Sequence, residues 1–408
     1  MKGHLIDLKQ HFTKVTNSNL IKLNGRVTQI TGLIIESYGP NAFIGELCHI
    51  VPKNTSQKIL AEVVGFRNDK ILLMPFGDIR GISPGSEVIS IGMQFNIRVG
   101  EKLIGRVIDG LGIPIDDKGP INDNQKVSVY RQPGHPLSRK RISKPLSTGI
   151  KALDGLLSCG KGVVVVATSD QPPLVRIRAA LVASTIAEYF RGMGKDVLLM
   201  MDSVTRFAMA QREVGLAVGE PPTSKGYPPS VFSVLPKLLE RAGTHSEVGS
   251  ITGLYTVLVE ADDMNDPIAD TVRSILDGHV VLSRNMASKN HYPAIDILRS
   301  VSRVMGDVTS FEHQGAAAKL KEVLSIYEES EDLINIGAYV PGSNSKIDYS
   351  LKYIDKIKNY LRQPISQGVN FNESVNMLID LFRDEKIFVT SNVNRGFELS
   401  KTPRLSLS

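Results

Sequence analysis

The sequence predicts a multidomain α/β protein: an N-terminal β-barrel, a central parallel-sheet domain and a C-terminal helical domain. Three observations carry this. Short strand-like runs alternate with Gly/Pro turns from Gly25 to about Ile97. Two apolar runs, Val163–Val166 and Val197–Met201, bracket a stretch of helical period, which is the β-α-β pattern of a parallel pair. From Ala316 onward the apolar residues recur at helical spacing alone.

A chain of 408 residues is long enough for two or three domains and a sizeable core. Its 42% hydrophobic and 22% charged residues are ordinary for a soluble globular protein. No apolar run reaches membrane-spanning length, which excludes an embedded channel, and Met1–Ile30 has no signal-peptide core. Cys48 and Cys159 lie far apart without metal-ligand spacing, as suits a reducing cytoplasm. The net charge of +6 is not gathered into a Lys/Arg stripe interleaved with aromatics, so nucleic-acid binding is not expected.

In chain order, residues 1–24 form a tail in which polar Gln10–Lys22 lacks a firm period and suits a docking segment. Residues 25–97 contain the strand-like runs Arg26–Ile30, Ala61–Phe66 and Ile71–Met74, separated by Gly39-Pro40, Gly77-Asp78 and Pro84-Gly85; this spacing suggests a small barrel. Leu103–Pro114 and the Pro-rich stretch through Pro145 are expected to be a linker wrapped on a domain surface, with His135 structural or solvated. The pair Gly160-Lys161 invites a phosphate-loop reading. It fails, because that loop needs Gly-x-x-x-x-Gly-Lys-Ser/Thr, and the motif occurs nowhere in the chain.

Val163–Val166 reads as a buried strand. Thr168-Ser169-Asp170 offers helix caps, Pro172-Pro173 suits a first turn, and Leu174, Ile177, Leu181 and Tyr189 share one face up to Gly192 or Gly194. Arg176 and Arg178 stand in the first turn, against the helix dipole; a phosphate in front of them or plain solvation would each account for that. The next strand ends in Asp202. Ligands bind outside the carboxyl ends of strands in such sheets, so Asp202 is a candidate to hold Mg²⁺ beside phosphates, although a helix-capping aspartate would look the same. Ala217–Pro229 reads as a loop, Val231–Arg241 as a helix and Gly253–Ala261 as a strand ending in Glu260, Asp262 and Asp263, acids that could contact a metal but read more readily as a solvated strand end. A further strand begins at Asp277, with His279 structural. Three helices follow, marked by Leu320, Val323, Leu324 and Tyr327, by Leu351, Ile354, Ile357 and Leu361, and by Val375, Leu378, Ile379 and Phe382. The chain from about Ser391 reads as disordered.

Three stretches resemble one family. Pro293–Ser302 (PAIDILRSVS) resembles the signature of the rotary ATP synthase α/β subunit superfamily. Asp202–Glu213 (DSVTRFAMAQRE) and Gly219–Phe232 (GEPPTSKGYPPSVF) resemble the flagellar and virulence type III export ATPases, as does Glu331–Tyr339 (EDLINIGAY). Gly226–Pro229 and Ile336–Tyr339 are more similar to the flagellar branch. The resemblance covers about Gly25 to Gln363. It implies a barrel at 25–97, a RecA-like ATPase domain at 98–310, a helical domain at 311–385 and a tail at 386–408. It also implies ATP and Mg²⁺ as cofactors. The implied assembly is a homohexamer, cytoplasmic and peripheral at the inner face of the plasma membrane. Its partners would be a stator-like regulatory subunit at the N-terminal tail, an export gate and chaperone–cargo complexes.

Carried onto matching positions, Asp202 resembles the Walker B acid near Mg²⁺. Arg303 resembles the arginine finger offered to a neighbouring subunit's γ-phosphate, Tyr292 the adenine-stacking aromatic, and Arg178 an arginine on the phosphate side. The family carries its P-loop and a catalytic glutamate between the segments that here end at Gly162 and begin at Val163; in this chain the flanks join directly. The sequence therefore predicts a truncated RecA-like domain that cannot hydrolyse ATP, with apolar faces exposed and ladder groups unpaired where a strand and helix are missing. An alternative is a non-catalytic hexamer subunit or scaffold, or the product of a defective gene.

Overall fold

A computed structural model describes residues 23–53, 57–123, 125–134, 139, 142, 145–152, 163–244 and 249–383. Residues 1–22 of the expected N-terminal tail, the expected C-terminal tail, His135 and Gly160–Gly162 lie outside the described residues. The chain forms two compact units, Met1–Arg141 with Cys159–Leu276, and Ile142–Ser158 with Asp277–Ser408.

The first unit begins with the barrel. Its strands are β1 (Gly25–Thr31), β2 (Ile34–Tyr38), β3 (Glu46–Val51), β4 (Ile59–Arg67), β5 (Lys70–Pro75) and β6 (Glu87–Gln94), closed in the order β1-β2-β5-β4-β3-β6. Closure leaves no edge to protect. Alternation along β5 explains how the barrel both fills and docks: Ile71 and Leu73 join the interior with Ile35, Cys48, Ile50 and Val63, while Leu72 and Met74 join a second core outside. The β4–β5 hairpin turns through Asn68 and Asp69, both at positive φ, a two-residue loop that matches the twist of its strands.

Next come β7 (Asn96–Val99), β8 (Val107–Asp109), β9 (Gln125–Ser128) and β10 (Val164–Val166). The expected linker thus supplies strands: β7 pairs with β9, and β8 runs parallel to β10. Gly/Pro content misled that reading, because the glycines serve close approach. A Cβ on Gly110 would lie 2.6 Å from the Val175 carbonyl oxygen. Asp116 starts β8 by accepting from Arg106 Nε at 2.7 Å, from the other branch of that guanidinium at 2.8 Å, and from the Val107 N–H at 2.9 Å.

Helix α1 (Pro173–Gly192) starts at the expected proline pair and is followed by β11 (Asp196–Met201), α2 (Val204–Val218), α3 (Pro229–Leu239), β12 (Gly243–Thr244), β13 (Ser250–Tyr255) and α4 (Pro267–Ile275). Leu174, Ile177 and Ile186 of α1 are buried with Phe207, Val231, Leu235 and Leu238 in the core that also takes Leu72 and Met74. Arg241 and Glu188 form a buried ion pair at 2.7 Å that ties the end of α3 to α1. The sheet over α1 is in two pieces, β8–β10 and β11–β13–β12, and no ladder joins them among the described residues. The expectation that 163–166 is buried fails for the same reason. With β8 as its one partner, β10 leaves Val164 52% exposed.

The second unit opens with β14 (Gly278–Leu282), α5 (Arg284–Ser288) and β15 (Ile295–Ser302), continuing through α6 (Met305–Val308), α7 (Phe311–Asn335), α8 (Ser345–Leu361) and α9 (Phe371–Asp380). Leu320, Val323, Tyr353, Ile357, Leu378 and Phe382 form its core. In this unit β14 and β15 bond each other, and Ile297 of β15 packs on the helical core.

Candidate functional site

The carboxyl end of β11 is stitched to the segment after β13. The Thr256 N–H donates to Met201 O at 3.0 Å, the Val204 N–H to Thr256 O at 3.0 Å, and the Leu258 N–H to Thr205 Oγ1 at 2.8 Å. Ser203 then caps α2, its Oγ accepting from the Arg206 N–H at 3.3 Å. Asp202 itself does not cap the helix. It is exposed and lines a cleft of about 460 Å³ together with Arg176, Arg206 and Glu260 on the polar side and Ala179, Ala180, Ala183 and Met200 on the apolar side.

Arg176 is held in this cleft by Glu213, which accepts two bonds from it at 2.7 Å, and by the Gln171 carbonyl oxygen at 3.1 Å. Arg178 departs from expectation. It is 4% exposed and faces the barrel, donating from Nε to Glu62 Oε2 at 3.1 Å and from one terminal nitrogen, Nη2, to both Glu62 Oε1 and the Tyr130 hydroxyl. Two residues along a helix turn the side chain about 200°, so Arg176 and Arg178 face opposite ways. Burial pushes the Tyr130 hydroxyl well above its ordinary range, so it remains a neutral donor to Glu62 at 2.6 Å. Glu260 is exposed, as expected of a solvated acid, but β13 ends at Tyr255, so Glu260 lies in a short turn that lines the cleft, while Asp263 pairs with Lys225 at 2.7 Å. Arg206 was missed by sequence reasoning. Its signal was present, four residues after Asp202 on the first turn of the following helix.

Tyr292 and Arg303 belong to the second unit. The Tyr292 carbonyl oxygen accepts from the Gln363 N–H at 3.0 Å, and Gln363 also binds Gly149 O and the Lys151 N–H, both at 2.6 Å. The Tyr292 ring is half exposed. Arg303 is exposed directly after β15, its N–H donating to Asp277 O at 2.8 Å.

The cleft does not fit a nucleotide's phosphate chain. Phosphate binding by such sheets uses a run of converging backbone N–H groups ahead of a helix. Here the chain passes from Val166 to Pro172 without a glycine, and the N-cap Pro172 and first helical residue Pro173 both lack N–H groups. Two arginines and two carboxylates remain. Among the described residues no three His, Cys, Asp or Glu side chains gather to hold a metal ion.

Comparison with known proteins agrees with the architecture. The family model "ATP synthase alpha/beta family, beta-barrel domain" matches residues 27–92, and "ATP synthase alpha/beta family, nucleotide-binding domain" matches 150–302. The barrel, the sheet with its cleft and the matching domains define an ATP synthase α/β-type ATPase fold, whose family binds ATP. Residues 309–380 match "T3SS EscN ATPase C-terminal domain". The chain is 44% identical to the flagellum-specific ATP synthase of Bacillus subtilis, over 90% of this chain and 96% of that protein, and 40% identical to the type 3 secretion system ATPase of Xanthomonas euvesicatoria, over 88% and 94%. It is similar to the assembled ATPase EscN of enteropathogenic E. coli at a TM-score of 0.82 and 40% identity, covering 88% of this chain and 99% of that one. The chain belongs to the flagellum-specific and type III secretion ATPase family.

The alignment to the Bacillus protein runs over 423 positions, more than 90% of a 408-residue chain can supply. The excess consists of positions that this chain lacks.

Proposed function

We propose that this chain works in flagellar-type protein export as a subunit of a homohexameric ATPase assembly and does not hydrolyse ATP by itself. The cleft at Asp202 carries this reading: it lies at the carboxyl end of the central strand, yet has no loop of backbone N–H groups to hold phosphates. In an assembly with intact members, Arg303 is the arginine offered to a neighbour's γ-phosphate, and its exposure supports that role. Tyr292 is the adenine-stacking ring, and Asp202 the acid on the Mg²⁺ side. EscN has been solved assembled, and also in complex with its central stalk EscO, at a TM-score of 0.77 and 39% identity to this chain. By likeness, the partners here are copies of the same fold and a stalk, with a stator-like subunit at the N-terminal tail, the export gate and chaperone–cargo complexes. No helix among the described residues is long and apolar enough to cross a membrane, which accords with a peripheral place at the cytoplasmic face.

The test is ATP turnover by the purified chain, alone and mixed with the intact Bacillus subtilis relative. No turnover alone, with a change in the relative's rate that Arg303→Ala in this chain abolishes, is expected. Arg303-dependent turnover by the chain alone would overturn the reading.

A further inference from the structure

Among the described residues the two pieces of the central sheet each end in an open edge, and both strands concerned pack on α1. β10 has β8 on one side, and β11 has β13 on one side. Exposed strand edges are ordinarily blunted by lysines, prolines or bulges. Neither strand has such protection: β10 is Val164-Val165-Val166, and β11 after its first residue is Val197-Leu198-Leu199-Met200-Met201. Continuous apolar runs of this kind belong to parallel strands with neighbours on both sides. Yet Val164 is 52% and Met200 58% exposed. The cleft is lined by residues of both strands, Val165, Met200 and Met201, and by an alanine stripe of α1, Ala179, Ala180 and Ala183, small enough to admit a backbone. The alignment to the Bacillus subtilis relative has positions that this chain lacks, and the family resemblance implies that they fall immediately before β10.

We propose that this cleft accepts one extended apolar strand, supplied in trans by an intact member of the family, which pairs with the open edges of β10 and β11 and restores one continuous sheet. Main-chain hydrogen bonds to two edges would provide affinity. The alanine stripe would select small or β-branched side chains on the buried face. This depends on sheet geometry and not on whether the chain turns over ATP, so the two readings fail separately.

The test uses the full chain and a synthetic peptide copied from the Bacillus subtilis relative opposite the junction of Gly162 and Val163. A second peptide has the same side chains but is N-methylated at alternate residues, which removes ladder donors. Saturable binding of the first peptide is expected, with amide exchange slowed about tenfold or more in 164–166 and in those β11 amides not bonded to β13, and no such effect of the methylated peptide. Absence of slowing in either strand, or an equal effect of both peptides, would overturn the proposal. So would slow exchange of these amides in the free chain, whether from its own residues or from a second copy filling the cleft.

Discussion

Arg178 shows how one side chain joins two elements. Its guanidinium lies 4.7 Å from the Tyr130 ring centre and bonds Glu62 of β4, so α1 is pinned to the barrel by a pair almost without solvent. Removing one partner of a buried pair strands the other, a loss of about 3–5 kcal/mol. Arg178→Ala should therefore lower the urea midpoint strongly, and adding Glu62→Leu should recover much of it; equal midpoints for the wild type and Arg178→Ala would contradict this assignment. Asp116 makes a pH prediction. The Arg106 guanidinium, and then backbone N–H groups, hold its carboxyl well below the usual carboxylate range. A depressed folded-state pKa gives stability that is present above the unfolded value, near pH 4, and is lost as pH falls through the folded one. Asp116→Asn should flatten the acid limb of a stability-against-pH curve below about pH 5. An unchanged limb would show that the pair contributes nothing.

At the scale of elements, the weak point is β10. It has three residues and one ladder partner, whereas β2 and β5 are hydrogen-bonded on both sides within a closed barrel and bury most of their side chains. Local opening follows buried contacts and ladder bonds. In the free chain the amides of 164–166 should exchange well ahead of those of Ile35–Ser37 and Ile71–Met74. Comparable protection would show that another partner covers β10. Helix α1 is in a different position, because Arg178 and Arg241 hold it from two directions while its core face packs on α2 and α3. It keeps the two sheet pieces on one support even without a ladder between them.

For the whole molecule, the consequence is a division of labour. The barrel and the helical core are complete, each with its own buried cluster, and these are the parts that match the family's terminal domains. The incompleteness is confined to the centre. On the proposed function, such a subunit joins an assembly through its barrel and helical domain without turning over ATP at its own site. Increasing fractions of it should then change the ATPase rate of an intact relative, and a rate that follows simple dilution would argue against co-assembly.

The sequence alone determined the order of barrel, sheet and helices, because period-2 and period-3.6 patterns are local. It also determined the absence of a phosphate loop, since Gly-x-x-x-x-Gly-Lys-Ser/Thr is a contiguous motif that is either written or not. The position of Asp202, just past the carboxyl end of a strand, was legible from the apolar run before it. Other features depended on partners distant in sequence. Nothing near Arg178 indicates that Glu62, 116 residues earlier, would bury it away from the cleft, or that Arg176 would face the cleft instead. The strand at Val107–Asp109 was hidden in a Gly/Pro-rich stretch, because its pairing with Val164–Val166 is a nonlocal ladder. The β14–β15 pair could not be read from either segment alone, because its ladder joins residues about twenty apart. Only the tertiary structure could decide these, since burial and ladder pairing are properties of residues brought together from separate parts of the chain.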